Sequence, residues 1–245
     1  MTHIEKTKGI VLHSFRHGES SLIVHCFTRN RGRQVFLVKG VRKSRKNNRA
    51  NLFQPLFLLD MDVYYNPSRE MQWIREVSID VPLNTIPYDV TRSTQALFLS
   101  EILYRMVREQ EENEVLYHFI RSSVQYLDSM EVPSSSFHLL CLFQLTKYLG
   151  FYPQDNYSET RIFFDPHSGS FTEVPSSGKL EQEKELGNWW RACFQSNYDS
   201  ANHAFGNRHD RNLFLNSLLE YYRIHVEGSG EIRSVDIIRE IFNNA

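Results

Sequence analysis

"KGIVLHSFRHGESSLIVHCFTRNRGRQVFLVKGVRKSRKNNRANLFQPLFLLDMDVY", Lys8–Tyr64, is the stretch whose pattern decides the fold. Two runs rich in β-branched and aromatic residues, Gly9–Phe15 and Ser21–Thr28, flank a turn centred on Gly18. "RGRQVFLVKG" follows a second turn at Asn30–Gly32, and "PLFLLDMDVYY" (Pro55–Tyr65) forms a fourth run. "NPSRE" ends that run, and "MQWIREVSI" (Met71–Ile79) alternates apolar and polar again. Five short strands separated by turn signals about every 10 residues fit a small barrel, which leaves no open sheet edge. Residues 1–80 are therefore expected to form a five-stranded OB-type barrel.

Beyond Val81 the period changes from two to that of a helix. "VTRSTQALFLSEILYRMVREQEEN" places Ala96, Leu97, Leu99, Ile102, Leu103, Met106 and Val107 at helical spacing, with Thr91 or Ser93 as the expected cap. Further helices are expected over "EVLYHFIRSSVQYLDSM", over "VPSSSFHLLCLFQLTKYLG" opening with Pro133 and a serine cap and stopping at Gly150, over "GNWWRACFQSNY", and over "RHDRNLFLNSLLEYYRIHVEG". A last short helix, "RSVDIIREIF", takes Ser234 as its expected cap. Residues 151–178 lose the helical period, and "RIFFDPHSGSFTEV" reads as a hairpin turning at Asp165–Gly169. The expected class is α+β, with a barrel at residues 1–80 and a mainly helical domain at 81–245 that carries the hairpin region 151–178.

The charge is unevenly distributed. Residues 1–80 hold 14 Lys and Arg against 7 Asp and Glu, although the whole chain is at -1. Between Glu19 and Asp60 there is no acid but nine bases: Arg29, Arg31, Arg33, Lys39, Arg42, Lys43, Arg45, Lys46 and Arg49. Such an asymmetry suits a polyanionic partner, and OB-type barrels commonly bind nucleic-acid strands on a face and its loops. Arg and Lys together supply forked and point-charge contacts to phosphate, and Asn47, Asn48 and Asn51 add polar groups. Phe27, Phe36, Phe53, Phe57, Tyr64 and Trp73 interleave on the strands, most of them expected in the core. The nine bases are the candidate nucleic-acid-binding residues.

Catalytic patterns do not emerge. There is no G-x-x-x-x-G-K loop, no nucleophile elbow and no H-E-x-x-H pair. The three scattered cysteines, Cys26, Cys141 and Cys193, suit a reducing compartment and buried packing. No run approaches the roughly 18 apolar residues of a membrane span, and the first residues lack the apolar core of a signal peptide. A cytoplasmic protein that is not an enzyme is expected.

The ordered set "KGIVL", "GES", "IVHCFT", "KGVRK" with its basic loop and "QPLF", followed by "LTKYLGFYP", "FDPHSGSF" and "LLEYYRIHVEGSGEIRSVDII", resembles the RecO family of bacterial DNA repair proteins. The resemblance touches all parts of the chain and is most specific over the first sixty residues. It implies an OB-fold followed by a helical domain. It further implies a recombination mediator that binds single- and double-stranded DNA and anneals complementary strands. Such a mediator acts with RecR and with the C-terminal tail of single-strand binding protein to load RecA, close to the nucleoid. Many relatives carry four cysteines as a zinc site between the third helix and the hairpin. "FYPQDNYSETRIFFDPHSGSFTE" has none, so zinc is expected to be absent and the segment to be held by Phe151, Tyr152, Ile162, Phe163 and Phe171. The alternative reading is a protein-interaction adaptor whose basic loop binds an acidic protein tail.

Overall fold

The structure is a computed structural model that describes residues 2–41, 49–176, 178–200, 205 and 207–242. The chain forms two compact units, Met1–Glu131 and Val132–Ala245. In the first, strands β1 (His3–His17), β2 (Ser21–Thr28), β3 (Gly32–Val38), β4 (Leu58–Tyr65) and β5 (Met71–Val81) close into a barrel in the ring order β1-β2-β3-β5-β4. Every pairing is antiparallel except a short parallel contact between β3 and β5. The five expected strands are all present.

β1 is much longer than the Gly9–Phe15 run expected from composition, because its polar first half pairs along β4 and its apolar second half along β2. Gly9 pairs with Leu59 on one side and Thr28 on the other. A side chain there would press on the end of Met61, with Cε 2.4 Å from an added Cβ. Inward positions alternate along the strands and fill the barrel with Val24, Cys26, Phe36, Leu59 and Met61, joined by Phe53 from the short 3-10 helix Arg49–Phe53 before β4. A bulge on β1 between Val11 and His13 turns Leu12 outward from this core. The Leu12 carbonyl there accepts a hydrogen bond from Ser100 Oγ of the first helix.

That helix, α1 (Val90–Met106), and α2 (Glu114–Ser129) belong to the same unit as the barrel. Asp89 caps α1, its carboxylate accepting the Arg92 N–H at 2.8 Å, where Thr91 or Ser93 was expected. The aspartate wins because only the residue before the helix has the extended backbone that aims its side chain at the free N–H groups. Two carboxylates fasten α2. Asp128 accepts the backbone N–H groups of Asn84, Thr85 and Ile86 at 2.8–2.9 Å. Asp80, at the end of β5, pairs with Lys8 of β1 and Arg121 of α2. Burial alone would raise both acids, but hydrogen bonds from these partners outweigh it and hold both below the usual carboxylate range. A depressed folded value means their stabilisation is present at neutral pH and is lost as the pH falls through that value.

In the second unit, α3 (Phe137–Tyr148) is buried almost all round. Ser136 stands at its cap position but makes no side-chain cap bond, and α6 (Ser234–Ile241) is preceded by Arg233, which leaves Ser234 inside the helix. The expected hairpin is present as β6 (Phe163–Asp165) and β7 (Ser170–Thr172). Asp165 closes its turn by accepting the N–H groups of His167 and Ser168. Phe164 stacks on Trp190 of α4 (Leu180–Gln195) at 3.9 Å, and Phe151 packs on Tyr221, Tyr222 and His225 of α5 (Arg208–His225). Of the five residues expected to hold this segment, Phe163 and Phe171 are buried and Phe151 and Ile162 half-buried, whereas Tyr152 is exposed, with one side of its ring against Phe143 and Phe194.

Gly32, in the β2–β3 turn, adopts φ +55 and lies against the loop that joins α1 to α2; an added Cβ would sit 2.4 Å and 2.5 Å from the carbonyl oxygens of Glu111 and Glu109. Neither backbone can yield cheaply. Gly32→Ala is expected to cost about 2–3 kcal/mol, read as a lowered urea midpoint with an unchanged slope.

Candidate nucleic-acid interface

The nine candidate bases separate into three groups. Arg29, in the turn after β2, pairs with Glu114 at the start of α2, its Nε 3.0 Å from Oε1. Arg31 donates to Glu5 of β1 at 2.9 Å and lies over the Tyr65 ring at 3.7 Å. Arg33 caps the end of α1: its guanidinium donates to the Tyr104 and Val107 carbonyls at 2.7 Å and 3.2 Å, and its backbone N–H donates to Glu109 at 2.7 Å. Those carbonyls form the negative end of a helix, which favours a cation. Burial lowers the pKa of Arg33, and the Tyr104 ring lies beneath its guanidinium at 4.6 Å. Arg29 and Arg33 hold the barrel to its helices, and Arg31 ties β1 and β4 within the barrel. Their partners were invisible to local charge counting because Glu5, Glu114 and the carbonyls come from distant segments.

The second group is Lys39 and Arg49, both exposed. Neither forms an ion pair with a described residue. Lys39 lies just past the end of β3 with its Nζ 4.6 Å from the ring centre of Trp73 on β5. Arg69 approaches the same ring at 5.3 Å. The third group, Arg42, Lys43, Arg45 and Lys46, lies outside the described residues.

Trp73 is 42% exposed and its cross-strand neighbour Tyr64 is 39% exposed. Phe27, Phe36 and Phe53 are buried as expected, so the six aromatics divide into core and surface. Gln72 explains the orientation. It is buried, accepts from the Asn66 N–H and donates to the Asn66 and Arg69 carbonyls, which pins the β4–β5 turn and leaves Trp73 facing outward. Arg69 was not among the candidate bases, and Trp73 was not singled out as a surface residue. The signal for them was the alternation of "MQWIRE", once Gln72 is taken as the inward residue.

An exposed cation–π contact stabilises by about 0.5–1 kcal/mol. A hydrogen bond to a charged group contributes about 1.5–3 kcal/mol. Among the described residues no three His, Cys, Asp or Glu side chains gather as a metal site, and no helix is long and apolar enough to cross a membrane.

A closed five-stranded barrel followed by helices defines an OB-type protein of the α+β class. The family models for the N-terminal and C-terminal regions of recombination protein O match residues 1–81 and 87–159. DNA repair protein RecO of Bacteroides fragilis is 35% identical over 243 residues, covering 98% of this chain and 100% of that protein. The RecO proteins of Phocaeicola vulgatus and Flavobacterium psychrophilum are 33% and 32% identical, covering 98% and 97% of this chain and 100% and 99% of their own lengths. The chain belongs to the RecO family of DNA repair proteins.

The division of the arginines has a direct consequence. Arg33→Met is expected to remove two bonds from α1 and lower stability by about 2–3 kcal/mol, whereas Lys39→Met changes it by less than about 0.5 kcal/mol. Thermal denaturation of the two variants side by side checks this.

Proposed function

We propose that this protein is a DNA-binding recombination mediator without catalytic activity, which grips strands by their phosphates along the barrel and promotes annealing of complements. The observation that carries the reading is the exposed Trp73 flanked by Lys39 and Arg69, at the point where the chain leaves β3 for the run Arg42–Arg49. Phosphate neutralisation explains how annealing proceeds without a nucleotide cofactor: cations placed between two polyanions remove the repulsion that keeps complements apart. Its family supports a role in DNA repair and recombination. Within that role the protein acts in the cytoplasm on DNA coated by single-strand binding protein, touching the tail of that protein and RecR, so that RecA is loaded.

About six neutralised phosphates make log K fall with log salt at a slope of roughly -4 to -5. Replacing Arg42, Lys43, Arg45 and Lys46 together by glutamate is expected to abolish oligonucleotide binding and annealing with no change in thermal midpoint. Unaltered affinity in that variant, measured by filter binding across a salt series, rules out the basic run as the phosphate grip.

A further inference from the structure

The outward surface of the barrel carries an ordered feature that phosphate gripping does not need. Following cross-strand partners from β1, Ile4 pairs with Tyr64, Tyr64 with Trp73, Trp73 with Leu37, Leu37 with Ile23, and Ile23 with Phe15. Directly opposed residues share a face of a sheet. The row is therefore an apolar band that climbs the outside of the barrel and returns to β1 eleven residues further along, covered at Ile23, which is buried, and open on either side of it. Ile4 is 49% exposed and Phe15 42% exposed, so the band is open at both ends as well as at Trp73. Outward residues elsewhere on the barrel, Ile10 and Phe27, are fully buried, which shows what an outward apolar residue looks like when it has a partner.

We infer that the Tyr64–Trp73–Leu37 part of this band is a base-stacking subsite that makes the barrel prefer unpaired strands to duplex. The inference rests on the DNA-binding reading above. Three arguments select unpaired nucleic acid as the occupant. The band is one residue wide and crosses three strands, about 10 Å in all, which suits two to three stacked bases at about 3.4 Å each. Its open end is flanked by Lys39 and Arg69, while Asp62 and Glu76, the next outward pair along β4 and β5, bound it on the other side. A strand is thus confined to the basic edge, with phosphates on the cations and base faces on the rings. The bases of a duplex are stacked on one another and present only edges, so a duplex gains the phosphate contacts and not the ring contacts. A base held by its face also keeps its pairing edge free, which suits a protein that brings complements together.

The test compares wild type, Trp73→Ala and Trp73→Phe for binding to an oligothymidylate and to a blunt duplex of equal length, by fluorescence anisotropy at one salt concentration. Trp73→Ala is expected to weaken the single strand by about 5- to 100-fold and the duplex by less than about twofold, with Trp73→Phe close to wild type on both. Oligothymidylate should also quench tryptophan emission in wild type and not in Trp73→Phe, a readout that does not depend on how well the alanine variant folds. Equal weakening of both ligands, or of neither, overturns the stacking subsite while leaving phosphate binding intact. Failure of wild type to bind either ligand at low salt overturns the DNA-binding reading itself, and the subsite with it.

Discussion

The barrel closes through its longest strand, β1, which meets one neighbour along its first half and the other along its second. Its fifteen residues pair with β4 through the first half and with β2 through the second. The stagger that results tilts the strands and sets which positions face outward around the ring. Gly9 stands at the exchange of partners, and the Leu12 bulge just beyond it turns the strand toward α1. The exposed band from Ile4 to Phe15 follows from the same closure: each member is outward because its neighbour is, back to β1.

A basic sequence and a basic surface are different things. Arg29, Arg31 and Arg33 lie within ten residues of Lys39, yet their charge is directed at Glu114, Glu5 and the carbonyls ending α1. Arg33 has no substitute in that place, since a forked, permanently charged donor is needed to reach two carbonyls at once. Lys39 and Arg49, past β3, form no ion pair with a described residue. What each base does therefore follows from its position along the strand. Arg29 and Arg33 face the helices of the same unit, Arg31 faces Glu5 and Tyr65 of the barrel, and Lys39 past the far end of β3 faces solvent beside Trp73. The protein is neutral overall, and the grip is a local arrangement of charge.

Much of this was legible in the sequence. The strands announced themselves through alternation and through turns at Gly18, Gly32 and Asn66–Pro67, because a half-buried strand must alternate and a reversing backbone needs such residues. The hairpin at Asp165–Gly169 was legible for the same reason. The first half of β1 was not, since "HIEKTK" carries polar residues on both faces and owes its strand form to pairing with β4. Caps were misread at Thr91 and Ser234 because composition names the residue type and only backbone geometry names the position. Trp73 was hidden by register: alternation groups residues into two faces but does not say which is inside until the barrel closes.

The central claim is that a DNA strand lies on the barrel's outer face between Trp73 and the basic run after β3. Ultraviolet cross-linking of bound oligothymidylate, with the attached residues identified by mass spectrometry, tests it most directly. The account predicts adducts at Trp73 and Tyr64 and on the segment from Lys39 to Arg49. Adducts confined to residues 132–245 would contradict it.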